Sequence, residues 1–285
     1  MTRPVDALLD FLRSQERRGV SHVYLDDDVR QALRDLHQRA RGKTPARQAR
    51  ASQAAPAEPP VAPAAEVPVI PVMPQATGDA AAQIAALASA AASWPPILAL
   101  GTLRDTLVFS AGNPEARVML IGEAPTHHDE RSGEPFSGPA GDKLTAILKA
   151  MGLPRTEVYL SNIVKFRPAI PNQTINSRKP TAAELAACLP LLHEEIRIVA
   201  PEVIIALGGT AAETLLGIQA SVDSLSGSWQ QFQGIPLRAT FHPSELLHGD
   251  EALGIKRRLW EDMLAVMERL GMPVSAKQRG FFQKP

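Results

Sequence analysis

The stretch "RVMLIGEAPTHHDERSGEPFSGPAG", Arg117 to Gly141, carries the reading of the fold. It opens on a short apolar run, Val118 to Ile121, of the kind that lies buried in a sheet. It then passes through a loop rich in Gly, Pro, Glu and His and enters the apolar-periodic helix pattern "GDKLTAILKAMG". The same alternation recurs downstream. "EVYLSNIV", "EVIIALGG" and "PLRATF" are strand-like runs with β-branched content, separated by the helix-like "PTAAELAACLPLLHEEIRIVA" and "TAAETLLG". An amphipathic "IKRRLWEDMLAVMERLG" closes the series. Thr181 and Glu184 have the spacing of a capping box after Pro180, and Pro201 marks that helix's end. Strands alternating with helices predict an α/β domain with a mostly parallel sheet, in which ligands bind outside the carboxyl ends of the strands.

That rule places the polar residues. Gly122 and Glu123 follow the first strand, Asn162 lies toward the end of the second, and His242 sits just past the fourth in "FHPSELLHGD". Unlike groups from separate strands therefore converge on one rim of the sheet.

Composition bounds the rest. The 285 residues, 45% hydrophobic, suffice for a sizeable core, and the zero formal net charge means that binding of nucleic acid must come from a local patch. The single cysteine, Cys188, rules out an internal disulfide and fits a reducing compartment. Charges interleave with the apolar residues of "MTRPVDALLDFLRSQERRG", so no signal peptide or membrane span is expected there, and the expected location is the cytoplasm. Residues 1–41 have apolar residues at helical spacing and predict a small helical appendage. Residues 42–78, rich in Pro and Ala, predict a disordered linker, and residues 79–285 form the α/β domain.

Simpler motifs fail on their spacing. "GPAGDKLT" lacks the Gly-Lys-Ser/Thr ending of a phosphate loop, and "ALGGTAAETLLG" lacks the G-x-G-x-x-G of a dinucleotide site. "HHDE", His127 to Glu130, cannot turn four consecutive side chains onto one ion, and Ser110 and Ser161 have no nucleophile elbow. Cys188 falls on an apolar helix face and reads as a buried, inert thiol, while His193 and His248 read as surface residues.

Taken together, "GNPEARVMLIGEAP", "GEPFSGPAG", "VYLSNIVKFRP", "PEVIIALGGTAAETLLG" and "GIPLRATFHPSELL" resemble the uracil-DNA glycosylase superfamily, and within it the type-four enzymes, from about residue 107 to 270. The resemblance implies a three-layer α/β/α sandwich and hydrolysis of deoxyuridine's N-glycosidic bond in uracil-containing DNA, leaving an abasic site, with the nucleotide flipped out of the stack. It implies that Phe136 stacks on uracil in a pocket shaped by Gly122 and Ala124, and that Asn162 reads the pyrimidine edge. It further implies that His242 donates to O2 of the departing base and that Glu123 positions or activates the attacking water. Pro125 and Gly138 shape the DNA-facing loop, Leu246 and Leu247 match the apolar wedge, and Ser244, Lys165 and Arg167 are expected at phosphates. Arg178, Lys179 and Arg257 are further candidates for a basic rim.

The departures carry their own expectations. Type-four enzymes hold a four-iron, four-sulfur cluster on four cysteines, of which only Cys188 remains; Phe166 and Trp94 are expected to fill the space with apolar packing, and no cofactor or metal is expected. Thr126 stands where the first motif usually has Gly, and its side chain is expected to narrow the pocket mouth or add a donor there. The loop "RPAIPNQTINSRKPT" contains no histidine, so covalent trapping of DNA at that place is not expected. A monomer is expected, with no membrane association and with residues 1–41 as a candidate docking unit for a protein partner. The alternative readings are a non-catalytic DNA-binding module on the same fold and a glycosylase for hypoxanthine or xanthine.

Overall fold

The computed structural model describes residues 77–247 and 252–282. The helical appendage and almost all of the expected linker lie outside these residues, as does His248. The described chain runs α1 (Ala80–Ala91), α2 (Pro95–Leu98), β1 (Leu103–Leu107), β2 (Ser110–Gly112), β3 (Val118–Gly122), α3 (His127–Ser132) and α4 (Gly138–Met151). It continues with β4 (Tyr159–Asn162), β5 (Phe166–Pro168), α5 (Ala182–Val199), β6 (Val203–Leu207), α6 (Gly209–Leu216) and α7 (Val222–Leu225). β7 (Trp229–Phe232), β8 (Ile235–Thr240), α8 (Ala252–Arg269) and α9 (Ala276–Arg279) complete it.

A six-stranded sheet in the order β2-β4-β3-β6-β8-β7 forms the centre. β4, β3, β6 and β8 are parallel, while β2 and β7 pair antiparallel at the edges. β1 and β5 make a separate antiparallel pair. Every residue of β3, β4 and β6 is buried, because both faces of the sheet are covered.

The pleat sorts these strands into two layers. Met119, Ile121, Tyr159, Ile204 and Ala206 pack with α1, α2, α5 and α6, whereas Val118, Leu120, Leu160, Val203 and Ile205 pack with α4 and α8. The resulting α/β/α sandwich is the expected fold. The capping box at Thr181 and Glu184 starts α5, which ends at Ala200 in the left-handed region just before Pro201. Ala80–Leu98 is long and apolar enough to match a membrane span, yet it breaks before Pro95 and buries Ile84, Leu87, Ala91, Trp94 and Ile97 in the core that includes α5.

This order places a topological switch between β3 and β6. From β3 the chain goes through α4 to β4 on one side, and from β4 through α5 to β6 on the other. The connections diverge there and leave a crevice at the carboxyl ends.

Candidate active site

Gly122 ends β3 opposite Asn162, which ends β4. The two chains stay paired past the strands, with Ile163 N donating to the Gly122 carbonyl (3.0 Å) and Val164 N to that of Glu123 (3.0 Å). A side chain at 122 has no room: a Cβ would stand 2.4 Å from Asn162 Oδ1 and 2.8 Å from Phe136 Cζ. Gly122, Phe136 and Asn162 therefore meet at one point. The Phe136 and His242 rings lie 6.1 Å apart between centroids, tilted by 32°, so the fourth residue faces the same crevice. Gly208, after β6 at φ 92°, lies against His242, whose Cβ is 3.2 Å from where a Cβ of residue 208 would stand.

Phe136 occupies the left-handed region at φ 57°, a conformation that costs a non-glycine residue on the order of 1 kcal/mol and persists only where the surroundings fix it. Arg155 donates to the carbonyls of Phe136 (3.1 Å) and Pro135 (3.0 Å). Ser137 N donates to Asp129 Oδ1 at 2.6 Å. Gly141 lies so close that a Cβ there would sit 1.7 Å from the Phe136 carbonyl oxygen. Arg155, Asp129 and Gly141 shape the loop that holds Phe136, and the sequence alone does not single out any of the three for this role. A Gly three residues beyond Gly138 was the available signal for one of them.

Thr126 corrects an expectation. Its hydroxyl and backbone N–H donate to Asp129 Oδ2 at 2.8 and 2.6 Å in a capping box that opens α3. The side chain is spent on the loop's own geometry instead of narrowing the pocket mouth. His128 packs over Gly138, whose φ of 71° and closeness to that ring (2.5 Å from a built Cβ) admit only glycine.

His242 is held on three sides. Its backbone N donates to Glu245 Oε1 (2.9 Å), Ser244 N donates to Nδ1 (3.2 Å), and Ser244 Oγ lies 2.7 Å from Nδ1. A backbone N–H can only donate, so Nδ1 is the acceptor, Ser244 Oγ–H also donates to it, and the proton sits on Nε2. Burial lowers the imidazole's pKa from its ordinary value, outweighing the attraction of Glu123, Glu245 and Asp129, so the ring is a neutral Nε2–H donor. With both donors of Ser244 turned to Nδ1, this residue serves the histidine and does not stand ready for a phosphate as expected. The Glu123 side chain has no hydrogen-bond partner among the described residues, and Ala124 and buried Pro125 follow it into the loop.

Three further expectations fail on burial. Lys165 is fully buried and paired with Glu195, so it cannot form part of a phosphate-binding rim. Arg167, 2% exposed, donates to Glu130 (2.9 Å) and to the carbonyls of Thr174 and Asn176 (2.7 Å each). Leu246 is buried in the layer containing α4 and α8, which leaves Leu247, 40% exposed, as the free apolar side chain of the turn. Arg178 is likewise committed, to Glu184, and half-buried His193 lies 5.5 Å from Phe232 between ring centroids, where the sequence suggested surface. Lys179 is exposed, and Arg257 pairs with Glu261 along α8.

The cluster of the type-four enzymes does not fit these residues. Cys188, the one thiol of the chain, is buried, with its pKa pushed up to about 11 by desolvation, and a lone protonated thiol cannot hold four irons. Trp94, Ile97 and Phe166 are buried in the same apolar cluster as Cys188, and Trp94 Nε1 donates to the Ala187 carbonyl (3.0 Å). Among the described residues no group of three His, Cys, Asp or Glu side chains could hold a metal.

A mostly parallel sheet sandwiched between helices, with an aromatic, an amide and a histidine converging at the carboxyl ends of its strands, is the class of fold and site that the chain presents. The chain belongs to the uracil-DNA glycosylase superfamily, whose family model matches residues 109–264. It is 37% identical over 164 residues to a type-4 uracil-DNA glycosylase of Thermotoga maritima, covering 56% of this chain and 81% of that one. A type-4 enzyme of Sulfurisphaera tokodaii is 31% identical over 178 residues (59% and 77%), and a type-5 uracil-DNA glycosylase of Pyrobaculum aerophilum 30% over 152 residues (47% and 64%).

Proposed function

We propose that this chain hydrolyses the N-glycosidic bond of deoxyuridine in DNA, releasing uracil and leaving an abasic site as the first step of base excision repair. The observation that carries the reading is the placing of His242, its Nδ1 turned to Ser244 and its ring beside Phe136, at the crevice where Phe136 and Asn162 meet. The base cannot be reached inside a duplex, so the nucleotide is flipped into this crevice, with Phe136 offering a stacking face and Leu247 an apolar filler for the gap left behind. The Asn162 carboxamide donates to uracil O4 and accepts from N3–H. Cytosine offers an amine and a bare nitrogen at those positions, and the unpaired groups cost roughly 1–3 kcal/mol.

As the C1′–N1 bond breaks, its electron pair goes to the base and the sugar takes on cationic character. His242 donates to O2, where the negative charge grows, and being neutral it can do so without giving up its proton. Glu123, close enough to influence the imidazole and otherwise without a partner among the described residues, is suited to stabilise the sugar cation and to take the proton of the water that adds to C1′. The reaction needs no cofactor. Single-turnover base release from oligonucleotides carrying uracil, hypoxanthine or xanthine tests the reading: uracil is released, and His242→Ala slows that release by more than tenfold, about 1.4 kcal/mol. Tight binding without release of any base would point to the non-catalytic alternative.

A further inference from the structure

Lys165 is the buried charge that this mechanism leaves unused. Its ammonium donates to Ser161 Oγ (2.6 Å), to the Asn162 backbone carbonyl (2.8 Å) and to the Glu195 carboxylate. Glu195, on α5, also accepts from Tyr159 Oη (2.9 Å) and Ser161 Oγ (3.0 Å). The face of Phe109 lies 4.8 Å from the ammonium. Both side chains are fully buried, and desolvating such a pair costs several kcal/mol per ion before attraction offsets it.

Of the atoms this network touches, one belongs to a residue of the pocket, the Asn162 carbonyl oxygen. The β2–β4 ladder ends at Ser161, and the Asn162 carbonyl takes its hydrogen bond from the lysine instead of a strand amide. Beyond it the chain is tied to β3 through Ile163 and Val164, and the Asn162 side chain lies tight against Gly122.

We propose that the Lys165–Glu195 pair is a positioning device for base recognition, fixing the Asn162 peptide so that its carboxamide is presented to the pyrimidine edge. The proposal rests on the uracil reading of the site. Lys165 and Glu195 do not touch the base; they act through Asn162.

The test is a cycle of single-turnover uracil release in the full chain: wild type, Asn162→Ala, Lys165→Met/Glu195→Met, and the triple variant, with incubations long enough to resolve slow release. Replacing a buried ion pair by apolar groups of similar volume is often neutral for stability, so the double variant is expected to fold with an unchanged circular dichroism spectrum. It should release uracil at least about tenfold more slowly than wild type, yet cost less than about twofold once Asn162 is already Ala, because coupled residues are not additive. Lys165→Gln/Glu195→Gln, which keeps a donor for the carbonyl, should remain within about threefold of wild type. Equal losses in both Asn162 backgrounds, or no loss in the first, would overturn the proposal, as would equal losses for the Met and Gln pairs. If the Met pair does not fold, Ser161→Ala, which removes one partner of each charge and leaves them matched, runs the same cycle with an expected threefold loss. Uracil release unaffected by Asn162→Ala would instead reject the base-reading role itself, whatever the pair does.

Discussion

The backbone nitrogen of Ser244 lies 3.2 Å from Nδ1 of His242, and this contact fixes which ring nitrogen carries the proton. Desolvation of the partly buried imidazole depresses its folded pKa below the unfolded value of about 6.5. The neutral form is thus favoured by folding, and its contribution to stability is complete above pH ~6.5 and lost as pH falls below it. Uracil release should stay level from pH 8 down past 6.5 and decline only at lower pH, when a proton on Nδ1 breaks the bond from Ser244. A decline centred at or above pH 6.5 would contradict this assignment.

Gly122→Ala should fold and lose activity. The added methyl meets Asn162 Oδ1 at 2.4 Å and the Phe136 ring at 2.8 Å, and displacing either by ~1 Å costs on the order of a hundredfold in rate. Single-turnover release beside a circular dichroism spectrum checks it; a loss under threefold would be incompatible with the crevice described.

Arg155→Met removes both donors to the Pro135–Phe136 carbonyls while keeping an apolar stem. Phe136, in the left-handed region, is then free to relax, so KM should rise and kcat fall, with a small change in melting temperature. Arg155→Lys, able to make one of the two bonds, should fall between. Parallel loss of stability and activity in both variants would assign Arg155 a purely structural role.

Glu184 accepts from Arg178, Thr102 Oγ1 and Thr181 N, which hold its carboxyl at about pKa 2 against the opposing cost of burial. Its folded pKa lies below the ordinary value of 4.5, so its contribution is present above pH 4.5 and lost as pH falls toward 2. Glu184→Gln should lower unfolding stability by on the order of 2 kcal/mol at pH 7, a difference that shrinks below pH 4.5. Urea titrations at pH 7 and pH 3.5 read it directly, and a difference that does not change between them would contradict the assignment.

Leu247→Ala should reduce release from double-stranded uracil DNA by about fivefold or more and leave single-stranded substrate within twofold, because filling the vacated stack matters only in a duplex. Equal losses on both substrates would place Leu247 elsewhere in the mechanism.

The strands β3, β4, β6 and β8 and the helices α4, α5 and α8 were legible because apolar runs and helical periods are local properties of the chain. The positions of Glu123, Asn162 and His242 followed from them, since each lies at or just past the carboxyl end of a parallel strand. The burial of Lys165 and Arg167 is not legible in the sequence, for the opposite reason. Their partners Glu195 and Glu130 lie 30 and 37 residues away, and without them a Lys-x-Arg pattern reads as surface. Thr126 and Asp129 had the spacing of a helix cap, yet a helix as short as α3 has too little period to announce itself. Gly141 and Arg155 act on the carbonyl of Phe136, a backbone atom whose needs no side-chain pattern displays.

His242 and Asn162 work together on one flipped uracil in the proposed reaction. The most direct measurement is single-turnover uracil release by wild type, His242→Ala and Asn162→Ala on one oligonucleotide, with alkaline cleavage reporting the abasic product. Release by wild type is expected, with a loss beyond about tenfold in each variant, about 1.4 kcal/mol or more of lost transition-state stabilisation. Absence of release by wild type, or release undiminished in either variant, would contradict this expectation.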